Sequence, residues 1–157
     1  MISIVIPVFN EEKRIAKSLD LISSFLKVFA QECEVIIVDD GSFDSTTKIL
    51  DGFKNKMDLK VFTHKTNSGK GAAIRTGVAR AAGEKILFTD IDLSVPIEFL
   101  DNFNQAMTDE IDIIIGSREH PDSKIEIKQF WLREMAGYSF TVLTNAILQV
   151  GASDFTC

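Results

Sequence analysis

Two aspartates separated by one residue, Asp90 and Asp92, follow the apolar run at residues 86–88. Carboxylates with this spacing at the end of a predicted strand can place their oxygens where a hard divalent cation meets a ligand phosphate. Mg²⁺ or Mn²⁺ held by one or two carboxylates completes its coordination with water and substrate phosphates. We therefore predict that Asp90 and Asp92 bind Mg²⁺ or Mn²⁺ beside a phosphorylated ligand.

Four further loops with polar or charged residues follow the other predicted strands. Their candidate site residues are Pro7, Asn10 and Glu11 in the first loop, Asp39 and Asp40 in the second, Lys70 and Arg75 in the third and the helix after it, and Arg118 in the fourth. The first loop also has an ordinary structural interpretation, because Asn10 can cap a helix and acidic residues favour its amino end. The adjacent carboxylates of the second loop can accept hydrogen bonds from a nucleobase or from ribose hydroxyls.

The third loop, at residues 67–71, reads Asn-Ser-Gly-Lys-Gly and opens a predicted helix. Free N–H groups and the helix dipole at such an end can cradle a phosphate. Lys70 and Arg75 lie about one helical turn apart, so both could reach a diphosphate. The loop is not a Walker A motif, because Gly71 follows the lysine, nor a dinucleotide fingerprint, because Ile74 occupies the third glycine position.

Strands and helices alternate along the chain and must position these loops. The predicted strands are residues 2–6, 34–38, 59–63, 85–89 and 111–116, and the predicted helices are 11–30, about 44–53, 69–82 and 97–107. Unbroken apolar strands joined by helices indicate an α/β fold with a mostly parallel, twisted sheet flanked by helices. Ligands bind such sheets beyond the carboxyl ends of the strands, where all five loops lie.

The bulk properties narrow the class of protein. The 157 residues fit one domain, and the net charge of −6 argues against a nucleic-acid-binding surface. Cys33 and Cys157 form neither a disulfide framework nor a metal-ligand spacing, which suits a reducing compartment. No basic leader and no run of roughly 20 apolar residues is present. We expect a cytoplasmic protein.

Residues 129–150 form a strongly apolar helical region. Two interpretations stay open: a helix packed in the core, or an amphipathic surface that meets a lipid interface or an apolar acceptor. The chain ends shortly afterwards without a helix terminator, so we expect a piece of a longer protein whose C-terminal remainder is missing.

In order, the five loops resemble the motifs of family-two glycosyltransferases of GT-A fold. The matching segments are residues 5–12, 38–42, 67–71, 90–94 and 116–118. The Gly-Lys-Gly loop, the Asp-Leu-Ser-Val-Pro segment at 92–96 and the final motif make the chain most similar to dolichyl-phosphate (polyprenyl-phosphate) β-glucosyltransferases. The final motif, at 154–157, reads Asp-Phe-Thr-Cys where that family usually has Asp-Thr-Gln-Cys.

The resemblance implies a role for each candidate residue. The nucleoside would be held by Pro7, Asn10, Glu11, Asp39 and Asp40, and the nucleotide or its phosphates would lie near Lys70 and Arg75. Asp90 would face the sugar or ribose, and Asp92 with Asp90 would bind the metal. Arg118 and Arg133 would bind the acceptor phosphate. Asp90, Asp92 and Arg118 would be the catalytic residues.

The resemblance also implies the reaction. A hexose, with glucose favoured, would pass with inversion and with Mg²⁺ or Mn²⁺ from a nucleoside-diphosphate sugar to a polyprenyl phosphate. UDP-glucose is the favoured donor and GDP-mannose the other. One catalytic domain would have a nucleotide-binding part at about 1–92 and an acceptor-side part at about 93–157. The full-length protein would make a peripheral contact with the cytoplasmic face of a membrane.

Three other interpretations stay open. In a haloacid-dehalogenase-type phosphatase, Asp90 would be a nucleophile, but the other loops would have no role. A glycosyltransferase acting on a polysaccharide would need a carboxylate base, for which Asp154 is the late candidate. The chain could also bind a nucleotide sugar without turnover. We expect His64 and His120 to be surface residues.

Overall fold

The computed structural model describes residues 1–117 and 131–149. It divides into two units, Met1–Gln105 and Ala106–Cys157. The predicted partition at about residue 92 into nucleotide and acceptor parts stays a prediction.

Four strands alternate with helices between Ile2 and Ala106. In chain order the elements are β1 (Ile2–Val8), α1 (Ile15–Leu26), β2 (Cys33–Asp39), α2 (Thr46–Asp51), β3 (Leu59–Thr63), α3 (Lys70–Val78), β4 (Lys85–Phe88) and α4 (Phe99–Ala106). All strand pairs are parallel, in the order β3-β2-β1-β4. The predicted parallel α/β sheet is therefore confirmed.

This strand order creates a switch point between β1 and β4. The chain first moves from β1 outward to β3 and then returns to the other side of β1 to form β4. In an open α/β sheet the helical connections diverge at such a point and leave a crevice beyond the carboxyl ends of the strands. The ends of β1 and β4, at Val8 and Phe88, therefore border the expected ligand site.

The two central strands are buried on both faces, which explains their near-continuous apolar sequences. Alternate residues such as Ile4 and Ile37 pack in a large cluster with α1. Their neighbours Val5 and Val38 pack on the opposite face with Ala73 of α3.

Helix α3 lies unusually close to the sheet. A Cβ atom at Gly77 would lie 2.3 Å from Val5 Cγ1, so only glycine permits this approach without a shift of the helix or the strand. The close packing fixes the position of α3, whose first residue is Lys70.

The predicted strand at 111–116 is wrong. The structure describes these residues, and they pair with none of the four strands β1–β4. Ile113 is 78% exposed. A β-strand exists only through hydrogen bonds to a neighbouring strand, and an apolar run does not supply that partner.

Residues Trp131–Leu148 form one helix, α5, in the second unit. Among its described side chains, Tyr138, Leu143 and Ile147 are more than half exposed, which does not match the interpretation as a core helix. In residues 1–117 and 131–149, no helix combines the length and apolar content needed to cross a bilayer.

Candidate active site

A cleft of about 420 Å³ opens beyond the carboxyl ends of β1 and β4, at the switch point of the sheet. Its lining residues are Pro7, Val8, Phe9, Glu11, Asp40, Asn67, Gly69, Lys70, Ala73, Asp90, Ile91 and Asp92. Loops after all four strands contribute to this lining. The structure therefore brings together most of the loops that the sequence singled out.

Asp90 and Asp92 reach the cleft because the residue between them is anchored in the core. Ile91 is only 3% exposed and packs in the large apolar cluster. The flanking carboxylates both line the cleft. Asp92 Oδ1 accepts a hydrogen bond from the Ser94 N–H at 3.0 Å, which holds its side chain at the turn.

Lys70 lies opposite the first of these carboxylates. Its Nζ is 2.8 Å from both Asp90 oxygens, and the two side chains are 57% and 51% exposed. An ion pair this exposed contributes on the order of 0–1 kcal/mol. The ammonium group can therefore exchange its carboxylate partner for a ligand phosphate at small energetic cost.

Asp40 has a mainly internal set of contacts. Its side chain is nearly buried, and its oxygens accept hydrogen bonds from the N–H groups of Ser68 at 3.0 Å and Gly69 at 2.7 Å. His64 Nδ1 lies 2.6 Å from Asp40 Oδ1. Burial would raise the pKa of Asp40, but the hydrogen bonds from Ser68, His64 and Gly69 outweigh it and lower the pKa.

The contacts of Asp40 change the interpretation of the third loop. The N–H groups of Ser68 and Gly69, which we expected to cradle a phosphate, already donate to the protein's own carboxylate. The side chain of Lys70 is then the cation that this loop offers to a ligand.

His64 was expected on the surface, but it lies at the centre of this network. Its side chain is 18% exposed, and its Nε2 is 2.9 Å from Thr76 Oγ1 of α3. The available sequence signal was its position directly after β3, at the same sheet edge as the other loops.

Asp39 is fully buried at the end of β2. Its Oδ1 accepts from the Ser42 N–H at 2.9 Å, and its Oδ2 accepts from the Thr47 hydroxyl at 2.7 Å. These contacts hold the turn at Gly41, whose φ is +79° and whose Cβ position lies 2.9 Å from the Thr66 carbonyl carbon.

The first loop crosses to the second loop instead of capping a helix. Helix α1 begins at Ile15, so Asn10 is not its cap. Asn10 instead accepts from the Phe43 N–H through Oδ1 at 3.1 Å, and its own N–H donates to Ser42 Oγ at 2.9 Å. Its φ of 54° is in the left-handed region that Asn tolerates.

Glu11 lines the cleft and forms an ion pair with Arg14, a residue that was not among the predicted site residues. Arg14 Nε and Nη2 donate to its carboxylate at 2.8 and 2.7 Å. These hydrogen bonds, the charge of Glu11 and the more distant charge of Asp92 raise the pKa of Arg14. The Glu-x-x-Arg spacing was the available signal.

Of the remaining predicted cations, the structure describes only the side chain of Arg75. Arg75 is exposed and does not line it, because five residues along α3 rotate a side chain by about 140° from Lys70. Arg118 lies outside the described residues, and so does the side chain of Arg133 in α5. Their roles stay predictions.

The donor set at the cleft fits a hard cation that shares its coordination with a ligand. In the part of the chain that the structure describes, no group of three or more His, Cys, Asp or Glu side chains could hold a metal alone. Asp90 and Asp92 supply only carboxylate oxygens, which suit Mg²⁺ or Mn²⁺ completed by water and phosphate oxygens.

Comparison with known proteins gives the family. The family model described as "Glycosyl transferase family 2" matches residues 3–150. Dolichyl-phosphate beta-glucosyltransferase of Homo sapiens is 31% identical over 170 aligned positions, which cover 99% of this chain and 52% of that protein. The chain therefore spans about half the length of this curated relative.

Two solved structures share the fold. S. aureus TarS 1-349 in complex with UDP-GlcNAc is 35% identical, with a TM-score of 0.59 over 66% of this chain and 30% of that chain. Mannosyltransferase PcManGT from Pyrobaculum calidifontis, in complex with GDP-Man and Mn²⁺, is 26% identical, with a TM-score of 0.57 over 64% of this chain and 30% of that chain. The predicted GT-A fold is confirmed. Because the family model spans nearly all of the sequence, the chain belongs to glycosyl transferase family 2.

Proposed function

We propose that the protein transfers a hexose, with glucose favoured, from a nucleoside-diphosphate sugar to a polyprenyl phosphate. The observation that carries this proposal is the cleft at the β1/β4 switch point, where Asp90, Asp92 and Lys70 converge. Two carboxylates for a divalent cation and an exchangeable ammonium group match the charges of a nucleoside diphosphate.

The relatives support both halves of the reaction. The human relative is named for transfer of glucose to dolichyl phosphate, and two similar structures contain UDP-GlcNAc or GDP-Man with Mn²⁺. UDP-glucose is the favoured donor for this chain and GDP-mannose the second. The chain spans about half the length of this curated relative, so the polyprenyl phosphate acceptor is proposed from the relative's name.

The mechanism follows from where charge develops. Asp92, with Asp90, would hold Mg²⁺ or Mn²⁺, which would supply Lewis-acid stabilisation of the departing diphosphate. Lys70 releases Asp90 and pairs with a phosphate of the donor, adding positive charge that is fixed in place before reaction. Pro7 and Phe9 line the cleft beside these charged groups and would pack against the nucleoside.

The acceptor phosphate acts as the nucleophile. One of its oxygens bonds to the anomeric carbon as the bond from that carbon to the nucleoside diphosphate breaks on the opposite face, so the configuration inverts. A phosphomonoester has a second pKa of about 6 and is already ionised near neutral pH, so no strong general base is required. Arg118 and Arg133 bind the acceptor phosphate, and the lipid chain places the full-length protein at the cytoplasmic face of a membrane.

Transfer of radiolabelled glucose from UDP-glucose to a short-chain polyprenyl phosphate, measured by organic extraction with Mn²⁺ present, tests the proposal. We expect lipid-linked label that EDTA abolishes. Label only in a supplied glycan would favour a polysaccharide acceptor instead. Donor binding without any transfer would mean that this chain binds the nucleotide sugar without turnover.

A further inference from the structure

His64 lies where three elements meet beside the cleft. It follows β3 directly, and its N–H donates to the Asp39 carbonyl at the end of β2 at 2.8 Å. Its ring contacts Asp40 through Nδ1 at 2.6 Å and Thr76 of α3 through Nε2 at 2.9 Å. One side chain therefore joins the ends of two strands to the helix that begins with Lys70.

The charges in this network define the donors and acceptors. The lowered pKa of Asp40 keeps its carboxylate ionised, so it can only accept hydrogen bonds. The proton on the His64 ring is therefore on Nδ1 and is donated to Asp40. Nε2 lies within hydrogen-bond distance of the Thr76 hydroxyl, so both ring nitrogens have partners.

The network continues from Asp40 to the cleft. Asp40 accepts from the N–H groups of Ser68 and Gly69, the two residues that precede α3. Gly69 has a φ of +90°, and Lys70 is the next residue. A shift of the Asp40 carboxylate would move this turn and with it the start of the Lys70 side chain.

Building on the proposed function, we propose that His64 is a positioning residue of the donor site. It holds Asp40 so that the Ser68–Gly69 turn presents Lys70 to the diphosphate of the nucleotide sugar. His64 itself does not line the cleft. A purely structural role would change the stability of the fold and leave the affinity for the donor unchanged.

Two pairs of variants test the proposal. His64→Leu removes both ring contacts, whereas His64→Asn keeps an N–H donor near the position of Nδ1. Thr76→Val removes the second contact, and Thr63→Val is its matched control, because Thr63 is exposed at the end of β3. All variants are first compared with the unchanged chain by their thermal unfolding midpoints.

Donor affinity is measured by calorimetry with UDP-glucose and with GDP-mannose, each in Mn²⁺. For His64→Leu we expect about a 10-fold loss of affinity, which corresponds to one hydrogen bond to a charged group. His64→Asn should restore the affinity to within about 3-fold, and Thr63→Val should leave it unchanged. Affinity unchanged in His64→Leu would overturn the proposal.

Amide hydrogen exchange, measured without any donor, separates this proposal from the proposed function. Exchange at Ser68 and Gly69 should be faster in His64→Leu, because their acceptor is no longer held. Unchanged exchange would overturn the proposal even if the donor bound normally. If the unsubstituted chain bound neither UDP-glucose nor GDP-mannose, the proposed function would fail. The role of His64 in donor binding would then fail as well, whatever the hydrogen exchange showed.

Discussion

Glu34 is a buried carboxylate near the amino end of β2, at the other end of the strand from the cleft. Its substitution gives a quantitative test of the fold. It accepts hydrogen bonds from Lys60 at 2.6 Å, from the Ala82 N–H at 2.7 Å and from the Ser3 hydroxyl at 2.5 Å. Burial alone would raise its pKa, but Lys60, Ser3 and Ala82 together lower the pKa from 4.5 to about 2.

The magnitude follows from linkage between proton binding and folding. Lowering the pKa from 4.5 to about 2 corresponds to about 3 kcal/mol of folding free energy. The folded-state pKa is the lower one, so this stabilisation is complete above pH 4.5 and is lost as the pH falls toward 2. Glu34→Gln should therefore lower the free energy of unfolding at pH 7 by about 2–3 kcal/mol.

Urea unfolding at pH 7 and at pH 2.5 measures this difference. The two proteins should differ clearly at pH 7 and much less at pH 2.5. Glu84→Gln, at an exposed glutamate, is the matched control and should change stability by less than about 0.5 kcal/mol at either pH. If Glu34→Gln lowered the free energy of unfolding by the same amount at pH 7 and at pH 2.5, the reasoning would be refuted.

Two further predictions concern α3. Lys70→Met should weaken the binding of UDP-glucose with Mn²⁺ about 10-fold in calorimetry, because a charged partner of the phosphates is lost. The thermal unfolding midpoint should stay within about 2 °C of that of the unsubstituted chain. Unchanged donor affinity would show that Lys70 does not bind the donor. Gly77→Ala should destabilise the fold by about 1–3 kcal/mol in urea, since the new methyl would overlap Val5, and Gly71→Ala should not, because its Cβ position has no heavy atom within 4 Å. Equal stability of the two glycine variants would contradict the close packing of α3.

The sheet and the edge that carries the loops could be predicted because their signals are local. Buried parallel strands need unbroken β-branched runs, and the helices between them indicate a parallel sheet whose loops share one edge. The run at 111–116 has the same composition yet forms no strand, because pairing depends on a neighbour that composition does not reveal.

Contacts between loops could not be predicted in the same way. The sequence indicated that Asp40 can accept hydrogen bonds from a nucleobase or ribose, whereas much of its hydrogen bonding goes to Ser68, Gly69 and His64. These partners lie 24 or more residues away, so only the folded chain brings them together. The orientation of Arg75 is different: the helical rotation of 100° per residue already separates it from Lys70.

The most direct test of the central claim is calorimetric titration of the chain and of Asp92→Asn with UDP-glucose and GDP-mannose, each in Mn²⁺ and in EDTA. We predict that the unchanged chain binds one donor with Mn²⁺, and that both EDTA and Asp92→Asn weaken this binding at least about 10-fold. Equal donor affinity with Mn²⁺ and with EDTA, or full Mn²⁺-dependent affinity in Asp92→Asn, would contradict the assignment of this cleft as a metal-dependent nucleotide-sugar site.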